Sequence, residues 1–443
     1  MKTNRSSKMT NHYSRIGNCL CVALLAVLLA PAILSAQNGA AENNANTWPQ
    51  WRGANRDGLL VGQPGWPERL SKDKLKESWR VALGKSYSGP IVSETMVFTT
   101  ESKDKKQEIV RAFDRKSGKQ VWEAAWEGAM SVPFFAKSNG DWIRSTPAYD
   151  GESLYVAGMK DVLVCLNVET GEQRWRVDFV EKLSTAVPEF GFVCSPLVDG
   201  EFVYVQAGAA LCKLNKRNGE IVWRTLEDAG GMWGSAFSSP IFATLAGQRQ
   251  LLVQTRQDLA GVDVETGNLL WKQKIEAFRG MNILTPTVAG DTVFTSAYQG
   301  QSQLFNIAKT ESAASISEAW SNRSRGYMSS PVVVDGHIYL HLQNQRCTCI
   351  NIETGESTWT SEPFGKYWSM VVNGDKILAL DERGELLLIR ANPKEFELID
   401  RVKISNQPTW AHLAVCGNEI FVRELDAIVA YRWDGAGSEK SGN

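Results

Sequence analysis

The chain has 443 residues, of which 43% are hydrophobic and 22% are charged, the composition of an ordinary globular protein. Its 48 basic residues nearly balance its 49 acidic residues, giving a formal net charge of −1. No basic stripe of the kind that binds a phosphate backbone is visible, so we expect no nucleic-acid partner.

The N-terminus has the features of a secretory leader. Four basic residues precede the apolar run CLCVALLAVLLAPAIL, and the small residue Ala36 follows it. We therefore predict a signal peptide over residues 1–36 and export to the periplasm, the cell envelope or the extracellular space. The alternative is a membrane anchor, but the run is broken by Pro31 and is short for a bilayer span. No second run of spanning length follows, so we expect no transmembrane segment in the mature chain.

The next segment, residues 37–74, is predicted to be an N-terminal extension containing the stretch WPQWRGANRDG. This stretch is either a ligand site or a structural clasp. We favour a clasp, because the segment must lead the chain into the strand that follows it. Trp48 and Trp51 would then pack on the surface of the folded domain, and Arg52 and Asp57 would pin the turn between them. On this interpretation Trp51→Ala lowers stability without changing affinity for any ligand.

Residues 75–434 carry a repeat with a period of roughly 40–50 residues. Two copies show its parts: STPAYDGESLYVAGMKDVLVCLNVETGEQRW (145–175) and SSPVVVDGHIYLHLQNQRCTCINIETGESTW (329–359). A Pro opens the first strand, and a turn containing Gly makes a tight hairpin. An apolar third strand leads into an Asn-x-Glu-Thr-Gly turn, and a Trp then begins the fourth strand. Several short strands per repeat predict a propeller or a solenoid.

The number of repeats distinguishes these two architectures. The predicted first strands lie near residues 90, 147, 196, 240, 286, 331, 370 and 413, which makes eight. The last repeat has three strands, whereas LKESWRVALG (75–84) is an unpaired fourth strand ahead of the first repeat. We therefore predict an all-β, eight-bladed propeller of four-stranded blades, closed by this N-terminal strand, with a disordered tail over residues 435–443. An open solenoid would leave Trp79 without a partner sheet.

The repeat TPAYDGESLYVAG…CLNVETGEQRW resembles the consensus of the PQQ-like (pyrroloquinoline quinone) repeat β-propeller family, over about residues 48–434. The resemblance implies the propeller fold. It leaves the function open, because that family includes quinoprotein alcohol dehydrogenases, the outer-membrane assembly factor BamB and exported bacterial propellers without an assigned role.

The dehydrogenase branch implies a calcium–quinone site, an Asp base and usually two adjacent cysteines. This chain has no Cys-Cys pair and lacks long inserts. We therefore expect no cofactor; pyrroloquinoline quinone with calcium is implied only under the alternative of a quinoprotein-like dehydrogenase. The favoured function is a non-catalytic exported scaffold that binds other envelope or secreted proteins, or a small ligand. Glycan binding is a second alternative.

A binding site is predicted at one mouth of the propeller channel, where the loops joining each fourth strand to the next first strand gather. An aromatic residue or Met precedes the first strand in seven of these loops, with cationic or polar neighbours. Such an aromatic funnel is typical of a ligand pocket or a peptide-docking surface, although the same residues could simply plug the channel. The candidate binding residues are Trp142, Arg144, Phe192, Trp233, Met281, Asn282, Arg325, Tyr327, Lys366, Trp368, Trp410 and His412.

Cysteines and histidines supply no convincing metal or catalytic site. Cys165 and Cys349 occupy equivalent repeat positions and are predicted to be small core residues. Cys347 and Cys349 form a close pair, and His337 and His341 share a strand face, but neither pair has a third ligand. We predict no metal site and no catalytic residue, and we expect a monomer.

Overall fold

The computed structural model describes residues 46–60, 66–71, 73–310 and 314–433. The predicted signal peptide and C-terminal tail lie outside these residues. The described strands form eight four-stranded antiparallel sheets, which confirms the predicted eight-bladed propeller. First strands of neighbouring blades contact one another at four of the joins, which indicates that the first strands surround the central channel. Among the residues described, we find no helix with the length and apolar character needed to cross a bilayer.

The strands follow one another from the channel outward in each blade. The first strand of the described chain, β1 (Leu75–Ala82), belongs to the last blade. Blade 1 contains β2 (Ile91–Val92), β3 (Met96–Lys103), β4 (Gln107–Asp114) and β5 (Gln120–Glu127). Blade 2 contains β6 (Ala148–Tyr149), β7 (Ser153–Gly158), β8 (Val162–Asn167) and β9 (Gln173–Asp178). Blade 3 contains β10 (Leu197–Asp199), β11 (Phe202–Ala207), β12 (Ala210–Asn215) and β13 (Ile221–Thr225).

Blades 4 to 8 repeat this order. Blade 4 contains β14 (Ile241–Leu245), β15 (Gln248–Gln254), β16 (Asp258–Asp263) and β17 (Leu269–Lys274). Blade 5 contains β18 (Thr287–Ala289), β19 (Thr292–Ser296), β20 (Ser302–Lys309) and β21 (Ala314–Asn322). Blade 6 contains β22 (Val332–Val334), β23 (His337–His341), β24 (Arg346–Asn351) and β25 (Ser357–Pro363). Blade 7 contains β26 (Trp368–Asn373), β27 (Lys376–Asp381), β28 (Glu385–Arg390) and β29 (Glu397–Lys403). Blade 8 contains β30 (Ala414–Cys416), β31 (Glu419–Glu424) and β32 (Ala427–Trp433), with β1 as its fourth strand.

The helical segments are short and lie in loops between blades. A five-residue helix, α1 (Phe179–Leu183), follows β9. Single 3₁₀ turns occur in three other blade-to-blade loops, at Phe134–Asn139, Gly231–Trp233 and Phe278–Gly280. All of these segments lie at the end of the channel where the predicted mouth was placed.

The ring is closed by pairing of the two ends of the propeller. Strand β1 runs antiparallel to β32, in a register that places Leu75 opposite Trp433 and Ala82 opposite Ala427. This pairing covers the outer edge of β32 and leaves no open sheet edge at the join. The predicted closing strand is therefore confirmed.

Neighbouring blades are joined by a Trp of one blade and a Gly of the next. The indole Nε1–H of Trp122 in blade 1 donates to the carbonyl of Val168 in blade 2 at 2.8 Å. Its ring lies against Gly171, where a Cβ atom would come within 2.5 Å of the ring. Gly171 also has φ +74°, as the predicted turn requires. The same packing recurs in the pairs Trp79–Gly118, Trp175–Gly219, Trp223–Gly267 and Trp320–Gly355.

The join between blades 7 and 8 uses the N-terminal extension, because β29 has no Trp. Trp66 packs edge-on against Trp433, with ring centroids 6.0 Å apart, and its carbonyl accepts a hydrogen bond from Lys376 Nζ. The backbone N–H of Leu70 donates to the Asp400 carboxylate at 2.9 Å. The extension therefore crosses both blades on its way to β1.

Residues 46–60, here called the channel segment, bind to the first strands from inside the ring. Trp48 exchanges two backbone hydrogen bonds with Val92 of blade 1, at 2.8 and 3.0 Å. Leu60 N–H donates to the Val372 carbonyl of blade 7, and Val372 N–H donates to the Gly58 carbonyl, both at 2.8 Å. The WPQWRGANRDG stretch thus lies within the channel, whereas the sequence suggested a position on the propeller surface.

Candidate functional site

A cavity of about 620 Å³ occupies the end of the channel where the loops between blades gather. We call it the mouth cavity. Its walls come from the residues that precede each first strand and from the turns between second and third strands, which return to the same face. Its size lies within the range of small-ligand and peptide-binding pockets.

Seven of the twelve predicted site residues line the mouth cavity. They come from the loops leading into blades 2, 4, 5, 6, 7 and 8, so they surround the channel. The seven are Arg144, Trp233, Met281, Tyr327, Trp368, Trp410 and His412.

Two predicted residues point away from the cavity into the interior of the blades. Phe192 is buried and packs edge-on against Phe179, with ring centroids 6.4 Å apart. Asn282 is also buried, and its amide donates to the backbone carbonyls of Arg256 and Ile275. Both residues support the loops that carry the cavity wall.

The other three predicted residues are absent from the cavity lining. Trp142 lies under the Nζ of Lys85, 5.0 Å from its ring centroid, and faces a separate pocket of about 260 Å³. Arg325 lines an open groove and donates to the carbonyl of Gly300. The Nζ of Lys366 lies 5.2 Å from the centroid of the Tyr367 ring.

Several lining residues were missed by the sequence analysis. Tyr87 lies shortly before the first strand of blade 1, as most of the predicted aromatics lie before theirs, but its loop was not included in the set. Arg256 and Tyr298 lie in turns between second and third strands. These turns reach the mouth because the antiparallel meander returns to this face at each of them. Propeller topology alone could have identified them.

The aromatic side chains at the mouth form two continuous series of rings, whose outer members Trp142 and Phe134 lie outside the cavity lining. On one side, consecutive ring centroids lie 4.3–6.1 Å apart in the series Phe278, Tyr298, Tyr327, Tyr367, Trp410, Tyr87 and Trp142, here called the tyrosine–tryptophan arc. On the other side, distances of 5.6–6.2 Å join Phe134, Phe135, Phe190 and Phe237, here called the phenylalanine arc. Edge-on and offset contacts of this kind hold rings in fixed orientations. One wall is therefore apolar, and the other carries hydroxyl and indole N–H groups.

Arg256 connects the loops behind the phenylalanine arc. Its guanidinium donates to the backbone carbonyls of Gly280 at 2.7 Å, Met232 at 3.1 Å and Arg279 at 2.6 Å. Its central carbon lies 4.7 Å from the centroid of the Phe237 ring. Burial lowers the pKa of Arg256 to about 10, so it remains cationic at neutral pH.

The floor of the cavity is formed by the channel segment. Trp51 lines the cavity, and the guanidinium carbons of Arg52 and Arg56 lie 5.6 and 5.8 Å from its ring centroid. The Arg56 guanidinium donates to the carbonyls of Ser195 and Pro196 in the loop leading into blade 3, at 2.9 and 3.0 Å. Both arginines are buried, and burial lowers the pKa of Arg56 to about 9. Trp51 is thus part of the cavity as well as of a structural segment.

His412 joins the floor to the wall. Its Nδ1 lies 2.8 Å from the Leu413 carbonyl, which can only accept, so Nδ1 carries the proton. Burial lowers the pKa of His412 to about 3, which keeps the ring neutral at physiological pH. Its ring lies 6.2 Å from that of Trp48 and 6.0 Å from that of Trp51.

The cavity is suited to binding and does not fit a calcium–quinone centre. Calcium takes six to eight oxygen ligands, usually including carboxylates. No Asp or Glu occurs among the cavity-lining residues that the structure describes. Elsewhere in residues 46–433, outside the gaps given above, no group of three His, Cys, Asp or Glu is placed to hold a metal ion.

The cysteine and histidine pairs are packed into the blades. Cys347 and Cys349 are buried in β24 as free thiols. His341 is buried and its ring stacks on that of Trp368 at 4.9 Å, whereas Nδ1 of His337 bonds to a turn carbonyl. The two histidines therefore have separate structural surroundings.

The comparisons with known proteins agree on one architecture. A family model described as outer membrane protein assembly factor BamB matches residues 105–361. The BamB protein of Moranella endobia is 24% identical over 359 residues, covering 77% of this chain and 86% of the relative. The BamB protein of Yersinia pestis is 24% identical over 297 residues, covering 64% of this chain and 69% of the relative.

Solved structures show the same fold in proteins of different function. The crystal structure of BamB from Moraxella catarrhalis matches with a TM-score of 0.59 and 15% identity, covering 83% of this chain and 99% of that one. Quinohemoprotein alcohol dehydrogenase from Comamonas testosteroni matches with a TM-score of 0.59 and 12% identity, covering 90% and 82%. At these identities the likeness extends to the fold alone.

Proposed function

This chain belongs to the family described as outer membrane protein assembly factor BamB, and on that premise we propose that it is an exported, non-catalytic propeller that docks partner proteins of the cell envelope at its mouth. The relatives are named as outer membrane protein assembly factors, which supports an envelope setting. The leader expected over residues 1–36 supports export. The partner is another envelope or secreted protein.

The observation that carries this proposal is an exposed aromatic rim around the mouth cavity. Phe134 is 84% exposed, Phe135 and Trp233 are each 50% exposed, and Phe278 is 44% exposed. All four belong to the 3₁₀ turns of the blade-to-blade loops. Large aromatic side chains clustered in solvent mark interaction sites, since their burial against a partner releases water from apolar surface.

Site-specific photo-crosslinking in the native host tests the proposal. The photoreactive residue p-benzoylphenylalanine would replace Phe134, Trp233 or Phe278, each exposed enough to tolerate it. We expect discrete adducts with envelope proteins at these three positions. Control positions are Val121 and Val222, which are each 51% exposed on the fourth strands β5 and β13. Adducts at the controls equal to those at the mouth, or no adducts at any position, would contradict docking at the mouth.

The non-catalytic part of the proposal has its own test. The purified protein would be incubated with calcium and pyrroloquinoline quinone and assayed for dye-linked alcohol oxidation. We expect no activity, because the cavity lining described above offers no carboxylate ligand to calcium. Alcohol oxidation together with stoichiometric quinone binding would establish a dehydrogenase. A glycan array, on which we expect no binding that depends on Trp233, tests the glycan alternative.

A further inference from the structure

The mouth cavity carries positive charge without an opposing carboxylate in its wall. Arg144, Arg256 and Arg279 line it, and Asp and Glu are absent from the lining residues that the structure describes. Asp141 and Asp228, the acidic groups that act on Arg144 and Arg256, form no ion pair with them and lie outside the lining. The site therefore attracts anions, and weakly screened charge in a cavity strengthens that attraction.

Positive charge also lies directly beneath the cavity floor. Arg52 and Arg56 flank the Trp51 ring and are bound mainly to backbone carbonyls, of Asp57, Ser195 and Pro196 among others. Carbonyl groups satisfy their N–H donors but do not neutralise their charge; the neighbouring Asp57 carboxylate offsets part of the charge of Arg52. An anion above Trp51 would thus be stabilised from below as well as from the wall.

Two donors in the wall lack an acceptor. Trp368 is only 4% exposed, and its indole Nε1–H has no hydrogen-bond partner among the described residues. A buried donor without an acceptor is costly, so a bound acceptor group would be favoured here. The Arg144 guanidinium donates through Nε and Nη2 to the carbonyls of Trp142 and Gly140, and its Nη1 has no hydrogen-bond acceptor among the described residues.

The apolar surface is larger than a small molecule would cover. The phenylalanine arc runs from Phe237 and Phe190, inside the cavity, through Phe135 to Phe134, which lies outside the lining and is 84% exposed. A compact ligand filling the cavity would leave Phe134 in water. A polypeptide segment entering the mouth would cover both the cavity and its rim.

From these observations we propose that the mouth recognises a partner-protein segment in which a carboxylate side chain lies next to aromatic side chains. This inference rests on the docking function proposed above and specifies its chemistry. The aromatic side chains pack along the phenylalanine arc and Trp233. The carboxylate lies toward the arginines, and the segment supplies an acceptor to Trp368 Nε1–H.

Binding of four matched peptides, measured by fluorescence polarisation with the purified mature chain, tests the proposal. The probe is the fluorescein-labelled peptide amide GSGFDFGSG; its three relatives carry Asn or Lys in place of Asp, or Ala in place of both Phe. We expect the Asp peptide to bind at least about tenfold more tightly than the Asn peptide, as one charge-assisted hydrogen bond allows. The Lys and Ala peptides should not bind measurably. Raising the salt concentration should shrink the preference for Asp.

Substitutions of cavity-lining arginines test whether the preference for the Asp peptide arises in the mouth cavity. Arg144→Gln should abolish the Asp-over-Asn preference while leaving aromatic-dependent binding in place. Should Arg144→Gln fail to fold, Arg279→Gln, at an exposed lining position, takes its place with the same expectation. Arg217→Gln is the control, because this exposed arginine lies in a turn at the opposite end of the blades. It should leave all four affinities unchanged.

The outcomes separate this inference from the docking function. Equal binding of the Asp and Asn peptides would overturn the carboxylate preference while leaving docking intact. If none of the four peptides binds, the proposal that the mouth recognises a polypeptide segment is wrong. Calorimetry with naphthalene-2-carboxylate then shows whether the cavity binds a small aromatic anion instead; if it does, the site is assigned to small molecules. The crosslinking result at Phe134, Trp233 and Phe278 decides the docking function independently.

Discussion

At the scale of single residues, Gly171 meets two requirements at once. Its φ of +74° lies in the left-handed region, and the ring of Trp122 from the preceding blade lies where its Cβ would be. Gly336 has almost the same φ, +72°, but has no atom within 4 Å of the corresponding position. The two glycines therefore share the backbone requirement and differ only in the contact between blades.

Substitution of these two glycines separates backbone strain from packing. Gly336→Ala should lower the free energy of unfolding by about 1 kcal/mol, the cost of a left-handed Ala. Gly171→Ala should lower it by roughly 1–3 kcal/mol more, because the added methyl group displaces the Trp122 ring. Urea denaturation measures both values. Equal losses in the two variants would show that the Trp–Gly contact contributes nothing to stability.

The same scale explains which site residues could be predicted from the sequence. The offset from the first strand identified Trp233 and Tyr327 as cavity residues. It failed for Phe192, whose neighbour Val193 lines the cavity instead, whereas Asn282 was chosen as a polar neighbour of Met281, which does line the cavity. Adjacent residues of an extended chain point to opposite sides, so an error of one position exchanges wall for core. The distance of a residue from the first strand does not show which of two adjacent side chains faces the cavity.

At the scale of elements, the channel segment has both a structural and a site role. Trp48 is 2% exposed and pairs with β2, whereas Trp51, three residues later, is half-buried and lines the cavity. The sequence predicted that two tryptophans would pack, but it could not show where. An inner surface of the ring and an outer surface both bury aromatic residues, and the segment has no periodic pattern to distinguish them.

Paired substitutions test the two roles of this segment. Trp51→Ala should lower the affinity for the GSGFDFGSG peptide by at least about fivefold, since an aromatic contact and the floor are both lost. Trp48→Ala should lower stability by about 3–5 kcal/mol, as expected for a buried Trp, with little change in affinity. Thermal unfolding and fluorescence polarisation provide the measurements. If Trp51→Ala leaves the affinity for the peptide unchanged, Trp51 has only the structural role that the sequence suggested.

At the scale of the whole molecule, the ring is closed by the pairing of β1 with β32, although these strands lie at opposite ends of the propeller sequence. Leu75 lies opposite Trp433, so the end of β32 and the start of β1 are adjacent in space. The repeat count and the orphan Trp79 were enough to predict this closure. The role of Trp66 at the join between blades 7 and 8 could not be predicted, because that residue lies outside the repeat and its partners are distant in sequence.

A circularly permuted chain tests closure directly. Residues 83–433, followed by an Asn-Gly turn and residues 75–82, should fold as a monomer that melts cooperatively, because the turn converts β32 and β1 into a hairpin. Its melting temperature should fall, since the channel segment is missing. The matched chain of residues 83–433 alone should aggregate through the free edge of β32. Light scattering with thermal melting compares them; a stable monomer from residues 83–433 alone would show that β1 is dispensable.

The path of the N-terminal extension also determines how the molecule would respond to mechanical load. Tension applied from the N-terminal side of residue 46 reaches the hydrogen bonds of Trp48 and Arg56 inside the channel first. It then reaches Trp66, and only afterwards the β1–β32 pair that holds the ring closed. A pull on the N-terminal side would therefore have to break these contacts before it loads the strand pair that closes the ring.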